Sequence, residues 1–214
     1  ATAGRERERA RVNELERLAI DAQLRTLQAQ IEPHFLFNTL ANVSSLIDAQ
    51  PVQARRMLER LIELLRASLT AARQPSATLA QESRLLSAYL EILQLRMGDR
   101  LRYTIEIPEL LGGASIPPLS LQPLVENAIR HGLEPKVEGG RVQVKASAAD
   151  DRLEICVEDD GLGFAPRTDA GFGLSNLRDR LAAMYGGGAR MSIEDRAPGT
   201  RVRISLPLIL ASVT

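Results

Sequence analysis

The sequence predicts an α+β protein: a helical hairpin that pairs with a second copy as a four-helix bundle, followed by an α/β sandwich. Three observations carry this reading. Residues 5–31 contain neither Gly nor Pro. Two amphipathic helical stretches follow, on either side of a turn at Asp48-Ala49-Gln50-Pro51. From Leu101 onward, short alternating apolar stretches are interspersed with helical ones at no regular alternation, the pattern of a sandwich rather than of a doubly wound sheet.

Taken in order, Ile20, Leu24, Leu27 and Ile31 keep a 4-3-4 spacing. That is the seam of a coiled coil, although an ordinary amphipathic helix shows it too. Pro33 removes a backbone donor and should kink the helix. The helical pattern resumes through Leu36, Leu40, Val43 and Ile47, and Pro51 suits the first turn of the next helix. Met57, Leu61, Leu64, Leu65 and Leu69 define that helix. Two antiparallel helices cannot bury both apolar stripes alone, whereas two copies can. Residues 71–77 read as a linker. Thr78 to Gln81 is a capping box that opens a helix running to about Met97. Leu101, Tyr103, Ile105 and Ile107 alternate as a strand. Ser120 should cap a helix that starts at Leu121. Val142–Ala146 and Leu153–Val157 are strands around a turn at Asp150-Asp151, Gly173–Tyr185 is a helix, and Met191–Ile193 and Arg201–Leu206 close the sheet.

Composition narrows the function classes. There are 27 basic and 27 acidic residues, so the balance favours neither nucleic acid nor an anionic membrane as the main partner. Cys156 is the single cysteine and His34 and His131 are the two histidines, which leaves no disulfide framework and no zinc set, and fits a reducing cytoplasm. No stretch approaches the ~20 apolar residues of a membrane span, and no signal peptide is evident. The chain starts at Ala1 inside a charged helical pattern and reads as a piece of something longer.

Four motifs carry chemistry. His34 lies in Gln30-Ile31-Glu32-Pro33-His34-Phe35-Leu36-Phe37-Asn38-Thr39-Leu40. A lone histidine is more often structural, but this one adjoins a kink and has Asn38 one turn on. Neutral imidazole is a nucleophile near neutral pH. The second motif is Glu126-Asn127-Ala128-Ile129-Arg130-His131-Gly132. Leu121, Leu124, Val125, Ala128 and Ile129 form an apolar stripe, which turns Glu126, Asn127 and Arg130 to the other side. Asn127 offers an amide oxygen of the kind magnesium prefers, Arg130 can pair with phosphate, and His131 is either a ligand of the same anion or a C-cap cation. The third motif, Asp159-Asp160-Gly161-Leu162-Gly163, follows a strand. It is a turn when taken alone, and the wall of a pocket for a flat ligand when taken with the Asn helix. A carboxylate there accepts from an exocyclic amine and so selects adenine. The fourth, Gly171-Phe172-Gly173-Leu174-Ser175-Asn176, comes too late for a dinucleotide loop. It fits the end of a lid over 165–170, followed by a helix start with free amides.

The order of these four motifs resembles a sensor histidine kinase, and at residue level its LytS-like branch. The likeness covers roughly residues 23–207. It implies a Bergerat (GHKL) ATP-binding fold over 78–210, dimerisation and phosphotransfer helices over 23–73, and a coiled-coil signalling helix over 1–22. It also implies ATP and Mg2+ as cofactors, with Asn127 on the metal. Arg130, His131, Asp159, Gly161, Gly163, Gly171, Gly173, Leu174, Asn176 and Thr200 would line the nucleotide, and Gly199-Thr200 matches the last short motif. His34 would be the phosphoacceptor, Asn38 would orient a water for dephosphorylation, and Glu126 or Glu32 would assist the imidazole. Three departures stand out: Pro123 four before Asn127, Asp160 where Asn is common, and Phe35 where many relatives carry an acid. The implied protein is a homodimer that phosphorylates a response regulator, and the chain is the cytoplasmic portion of an inner-membrane sensor. The rival reading is a nucleotide-binding scaffold without catalysis.

Overall fold

A computed structural model describes residues 33–163 and 172–210. The expected coiled-coil seam, Glu32, the lid and Gly171 therefore lie outside the described residues. The chain divides into two compact units, Ala1–Ala54 and Arg55–Thr214.

In the first unit, helix α1 spans Pro33–Ala49. The kink expected at Pro33 turns on the residues before it, which lie outside the described residues. Phe35, Thr39 and Val43 recur every four residues and are buried, while Phe37, Leu40 and Ile47 are exposed. Only Gln50 separates α1 from α2, which spans Pro51–Ala72 and contains the boundary between the units, since Arg55 onward belongs to the second; Pro51 opens this helix as its fixed φ suggests. Along α2 the buried line is Ala54, Met57, Leu61, Leu64 and Ser68, whereas Leu65 and Leu69 are half-buried. The expected stripe drifts because 57-61-64-68 keeps one line on a 3.6-residue helix, and Leu65 and Leu69 lie one step round it.

In the second unit a short strand β1 (Ala77–Thr78) leads into α3 (Leu79–Met97), with the capping box formed as expected: Thr78 Oγ1 accepts from Gln81 N–H at 3.2 Å and Gln81 Oε1 from Thr78 N–H at 2.8 Å. Then come β2 (Leu101–Glu106), β3 (Ser115–Ile116), α4 (Leu121–Asn127), β4 (Gly140–Ala149), β5 (Arg152–Asp159), α5 (Phe172–Tyr185), β6 (Arg190–Asp195) and β7 (Thr200–Pro207). The main sheet has the order β2-β4-β5-β7-β6; β2 pairs with β4 in parallel and every other pair is antiparallel. Alternation sorts its two faces. Val142, Val144, Leu153, Ile155, Val157, Val202, Ile204 and Leu206 are buried on one face, in register across Val144–Val157–Val202. Lys145, Glu154, Cys156, Glu158, Arg201 and Arg203 occupy the other, tied by ion pairs such as Arg201–Glu158 and Lys145–Glu106 (3.4 Å). One apolar face covered by helices and one polar face open to water make a two-layer α/β sandwich.

Two local expectations fail. Ser120 does not cap α4: its hydroxyl donates to Pro117 O at 2.6 Å. The amides at the start of the helix go to Glu82 on α3, whose Oε1 accepts from Leu119 N–H (2.7 Å) and whose Oε2 accepts from Ser120 N–H (2.8 Å) and Leu121 N–H (3.2 Å). A carboxylate meets more of these orphan donors than a hydroxyl, and carries the charge that a helix start favours. Nor does His131 end the helix. Residues Ala128–Leu133 continue it as a wider π turn, in which Glu134 N–H reaches Ile129 O at 2.8 Å.

The β4–β5 connection is a two-residue hairpin in which Asp150 and Asp151 have φ of 50° and 60°. Both sit in the left-handed region that a type I′ turn demands and glycine tolerates best. Asp150→Asn combined with Asp151→Gly should stabilise the chain by about 0.5–1 kcal/mol. Thermal unfolding followed by circular dichroism should show a midpoint about 2–4 °C higher.

Candidate functional site

His34 stands exposed on the first turn of α1. Phe35 beside it is 2% exposed and anchors that turn, and Thr39 Oγ1 donates to Phe35 O at 2.7 Å. Asn38, one turn on, places Nδ2 at 3.0 Å from His34 Nε2 and 3.3 Å from Nδ1. The ring is reachable from solvent, with a neutral amide within hydrogen-bond distance of its nitrogens.

In the second unit the strand period decides the site. Asp159 shares the parity of Leu153, Ile155 and Val157, so the last residue of β5 turns its carboxylate to the helix side. Thr200, first in β7, shares the parity of Val202 and Ile204 and is buried there as well. Asp159 Oδ1 accepts from Gly161 N–H at 2.9 Å, and Thr200 N–H adds a second bond. Burial pushes the carboxyl up to about 6, against the pull of those two amides and of Lys136, with Asp160 adding to the rise. The surrounding backbone leaves no room for a side chain. A Cβ on Gly132 would stand 2.6 Å from Asp159 Oδ1, and one on Gly161 would stand 2.4 Å from the Gly132 backbone. Leu162 N–H closes the contact by donating to Gly132 O at 3.1 Å. Gly199, at φ 93°, passes so close to Asp159 that a Cβ would meet its carbonyl oxygen at 1.8 Å.

The π turn that continues α4 runs against the end of β5. Asn127 is the last residue of α4 and is half-buried; Arg130 is exposed and His131 half-buried on the wider turn. Glu126 accepts from Gln122 Nε2 at 2.8 Å. Gly163 lies beside Asp195 and Gly199. On the first turn of α5, Leu174 is buried, Asn176 is exposed, and Gly173 faces Pro123. The small ring of Pro123 therefore serves as packing surface for the start of α5, a use consistent with its having no polar group to offer. Asp159, Gly161 and Thr200 are brought together as the motifs suggest. Sequence reasoning missed Gly132, whose signal was present in the Asn motif, and Glu82, which gave none. It also missed Lys136, whose Nζ donates to Asp160 O at 2.7 Å, and the structural role of Asp160, whose Oδ1 accepts from Arg141 N–H at 2.6 Å.

Comparison with known proteins places this geometry. The profile of the family described as histidine kinase matches residues 22–101, and that of the histidine kinase-, DNA gyrase B- and HSP90-like ATPases matches residues 119–210. The chain belongs to the LytS-like sensor histidine kinases. The sensor protein LytS of Oceanobacillus iheyensis is 34% identical over 208 residues, covering 90% of this chain and 36% of that protein. The sensor histidine kinase YpdA of Escherichia coli is 35% identical over 208 residues, covering 92% and 36%. YesM of Bacillus subtilis is 36% identical over 194 residues, covering 87% and 33%. The chain thus spans about a third of the length of these curated relatives. A histidine kinase domain from Erythrobacter litoralis shares the fold at 22% identity with a TM-score of 0.52, covering 89% of this chain and 93% of that one. The catalytic domain of the histidine kinase ThkA does so at 15% identity and 0.50, covering 64% and 97%. Within this kinase family residues 119–210, which lie in the second unit, match the GHKL-type ATP-binding domain. Among the described residues no helix is long and apolar enough to cross a membrane.

The buried carboxylate has a stability signature. Unfolded, Asp159 ionises near 3.8; folded, it ionises near 6. The folded state holds the proton more tightly, so the stability this group gives is full below pH 4 and is lost as pH rises through 6. Asp159→Asn removes that loss. Urea denaturation should find the variant more stable than the parent by about 1 kcal/mol at pH 7.5, with the gap closing toward pH 4.

Proposed function

We propose that this chain is the catalytic part of a dimeric two-component sensor kinase. It transfers the γ-phosphoryl group of ATP to His34 and passes it to an aspartate of a response regulator. The observation that carries this reading is the solvent-exposed, Asn38-oriented imidazole of His34 on a chain that also holds the Asp159 cradle. The cradle suits a purine: Gly132 and Gly161 keep side chains out of it, and the carboxylate can accept from an exocyclic amine. Asn127 supplies the hard amide oxygen that magnesium takes among waters and phosphates. Bound ATP with magnesium supplies the phosphoryl group and the neutralisation of its charge.

The chain's own residues do the rest. Asp159, Gly161, Gly163 and Thr200 hold the base end. Asn127, Arg130 and His131 face the phosphate end, joined by Gly173, Leu174 and Asn176 at the start of α5 and, by its place in the sequence motif, Gly171. One ring nitrogen of His34 forms the bond to the γ-phosphorus as the bond from that phosphorus to the β,γ-bridging oxygen breaks and ADP leaves; the other ring nitrogen keeps its proton, and Glu126 and Glu32 are the carboxylates that would relieve it. Asn38 orients the ring and, in reverse, a water. The exposed Phe37, Leu40 and Ile47 of α1 and Val52, Leu58 and Ile62 of α2 are covered by a second copy in a four-helix bundle. The parent protein is a membrane-anchored sensor of which this is the cytoplasmic part.

Incubation with γ-labelled ATP should give an acid-labile, alkali-stable label on the parent chain. His34→Gln should abolish that label and leave ADP binding intact. Label that persists on the variant moves the acceptor elsewhere, and an unlabelled parent that binds ADP is a scaffold.

The two ends of the nucleotide separate in calorimetric titration. Asp159→Asn should weaken ADP binding about 10–100-fold with or without magnesium, since a hydrogen bond to a charged group is worth roughly 1.5–3 kcal/mol. Asn127→Ala should lose affinity mainly when magnesium is present. Equal losses in both conditions for both variants mean that the ends are assigned wrongly.

A further inference from the structure

Helix α3 grips both ends of the segment that carries Asn127. At its start, Glu82 is 2% exposed and takes three backbone amides of residues 119–121 on its two carboxylate oxygens. At its end, Arg96 pairs with Glu134 just past the π turn. Next to it, the Arg100 guanidinium donates to three carbonyls, Val137 O (3.0 Å), Glu134 O (3.2 Å) and Lys136 O (2.9 Å). A third helix joins at the Glu82 end: Arg180 on α5 donates to Leu119 O at 3.0 Å and its charge acts on Glu82.

These contacts go beyond what packing needs. An apolar side chain would fill the space at Glu82, and removing a charge from water is costly. What a carboxylate adds is direction. Two oxygens that accept three amides fix the rotation and height of the first turn of α4, and a seven-residue helix carries that setting to Asn127 about 10 Å away.

We propose that Glu82 is a positioning residue for nucleotide binding: through the amides of residues 119–121 it sets α4 so that the Asn127 amide meets the metal–phosphate end of the ligand. The inference rests on the role given above to Asn127. Glu82→Gln leaves one accepting oxygen and turns an NH2 group toward amide donors. Glu82→Asp keeps the charge but shortens its reach by one methylene.

The test is titration of ADP into the whole chain, with and without magnesium chloride, for the parent, both Glu82 variants and Asn127→Ala. Glu82→Gln should reduce the affinity gained on adding magnesium by about tenfold. Magnesium-free affinity, which depends on the Asp159 end, should stay within about twofold of the parent. Glu82→Asp should fall between the parent and Glu82→Gln. A residue that only stabilises the fold lowers the unfolding temperature and leaves the magnesium gain untouched, and that result overturns the inference. So does an equal loss with and without magnesium. If Glu82→Gln does not fold, Glu82→Asp decides by the same comparison. If the parent and Asn127→Ala gain equally from magnesium, the reading of Asn127 is wrong and the inference falls with it. If Asn127→Ala loses the gain and the Glu82 variants keep it, the inference alone falls.

Discussion

The twofold repeat of a β-strand, applied to β5, is the constraint on which the second unit depends. Leu153, Ile155 and Val157 must face the helices because they are the core. The same alternation then carries Asp159 to that side, where its charge loses water. Gly161 and Thr200 return two amides, and glycines at 132, 161 and 199 let three stretches of backbone close around it. The desolvation left over keeps the carboxyl raised. A strand end that is costly in the free protein is the place where a ligand with a complementary donor gains most, because the site is already dry and already ordered.

The Asn helix shows the same accounting of polar groups from another direction. Its first amides are orphans by construction, and the nearby hydroxyl of Ser120 spends itself on Pro117. The carboxylate that satisfies them comes from α3. At the other end the helix widens, because Gly132 must lie against Asp159 and Gly161 while Ile129 and Leu133 stay buried. One extra residue in the turn meets both demands.

These two ends also mark where the sequence was and was not legible. Local chemistry read well: the Thr78 capping box, the Pro51 helix start, the two-residue turn at Asp150 and Asp151, and the alternation of the strands are all formed. The cluster of Asp159, Gly161 and Thr200 followed from the motifs because residues near strand ends keep their parity whatever surrounds them. Ser120 was misread because a local signal was outcompeted by a carboxylate 38 residues away. Nothing near Glu82 in the chain announces that it is buried. The π turn was equally hidden, since its cause is a backbone contact between Gly132 and Gly161 that only the folded sheet creates. Leu65 and Leu69 went astray for a simpler reason: a run of leucines fits several helical stripes, and packing chooses among them.

The parallel pairing of β2 with β4 has a consequence for how the domain assembles. Its ladder joins Leu101 to Gly140, and everything between those residues, the Asn helix included, is the crossover that makes a parallel pair possible. Closing so long a loop costs chain entropy before any ladder bond forms. The hairpin of β4 with β5 and the antiparallel β5–β7 and β6–β7 pairs carry no such crossover through the Asn helix, so they can form while the outer strand waits. An edge strand is thereby made contingent on the Asn helix. Amide exchange at Leu101–Glu106 becomes a distant reporter of what happens at Asn127, through the topology of the chain alone.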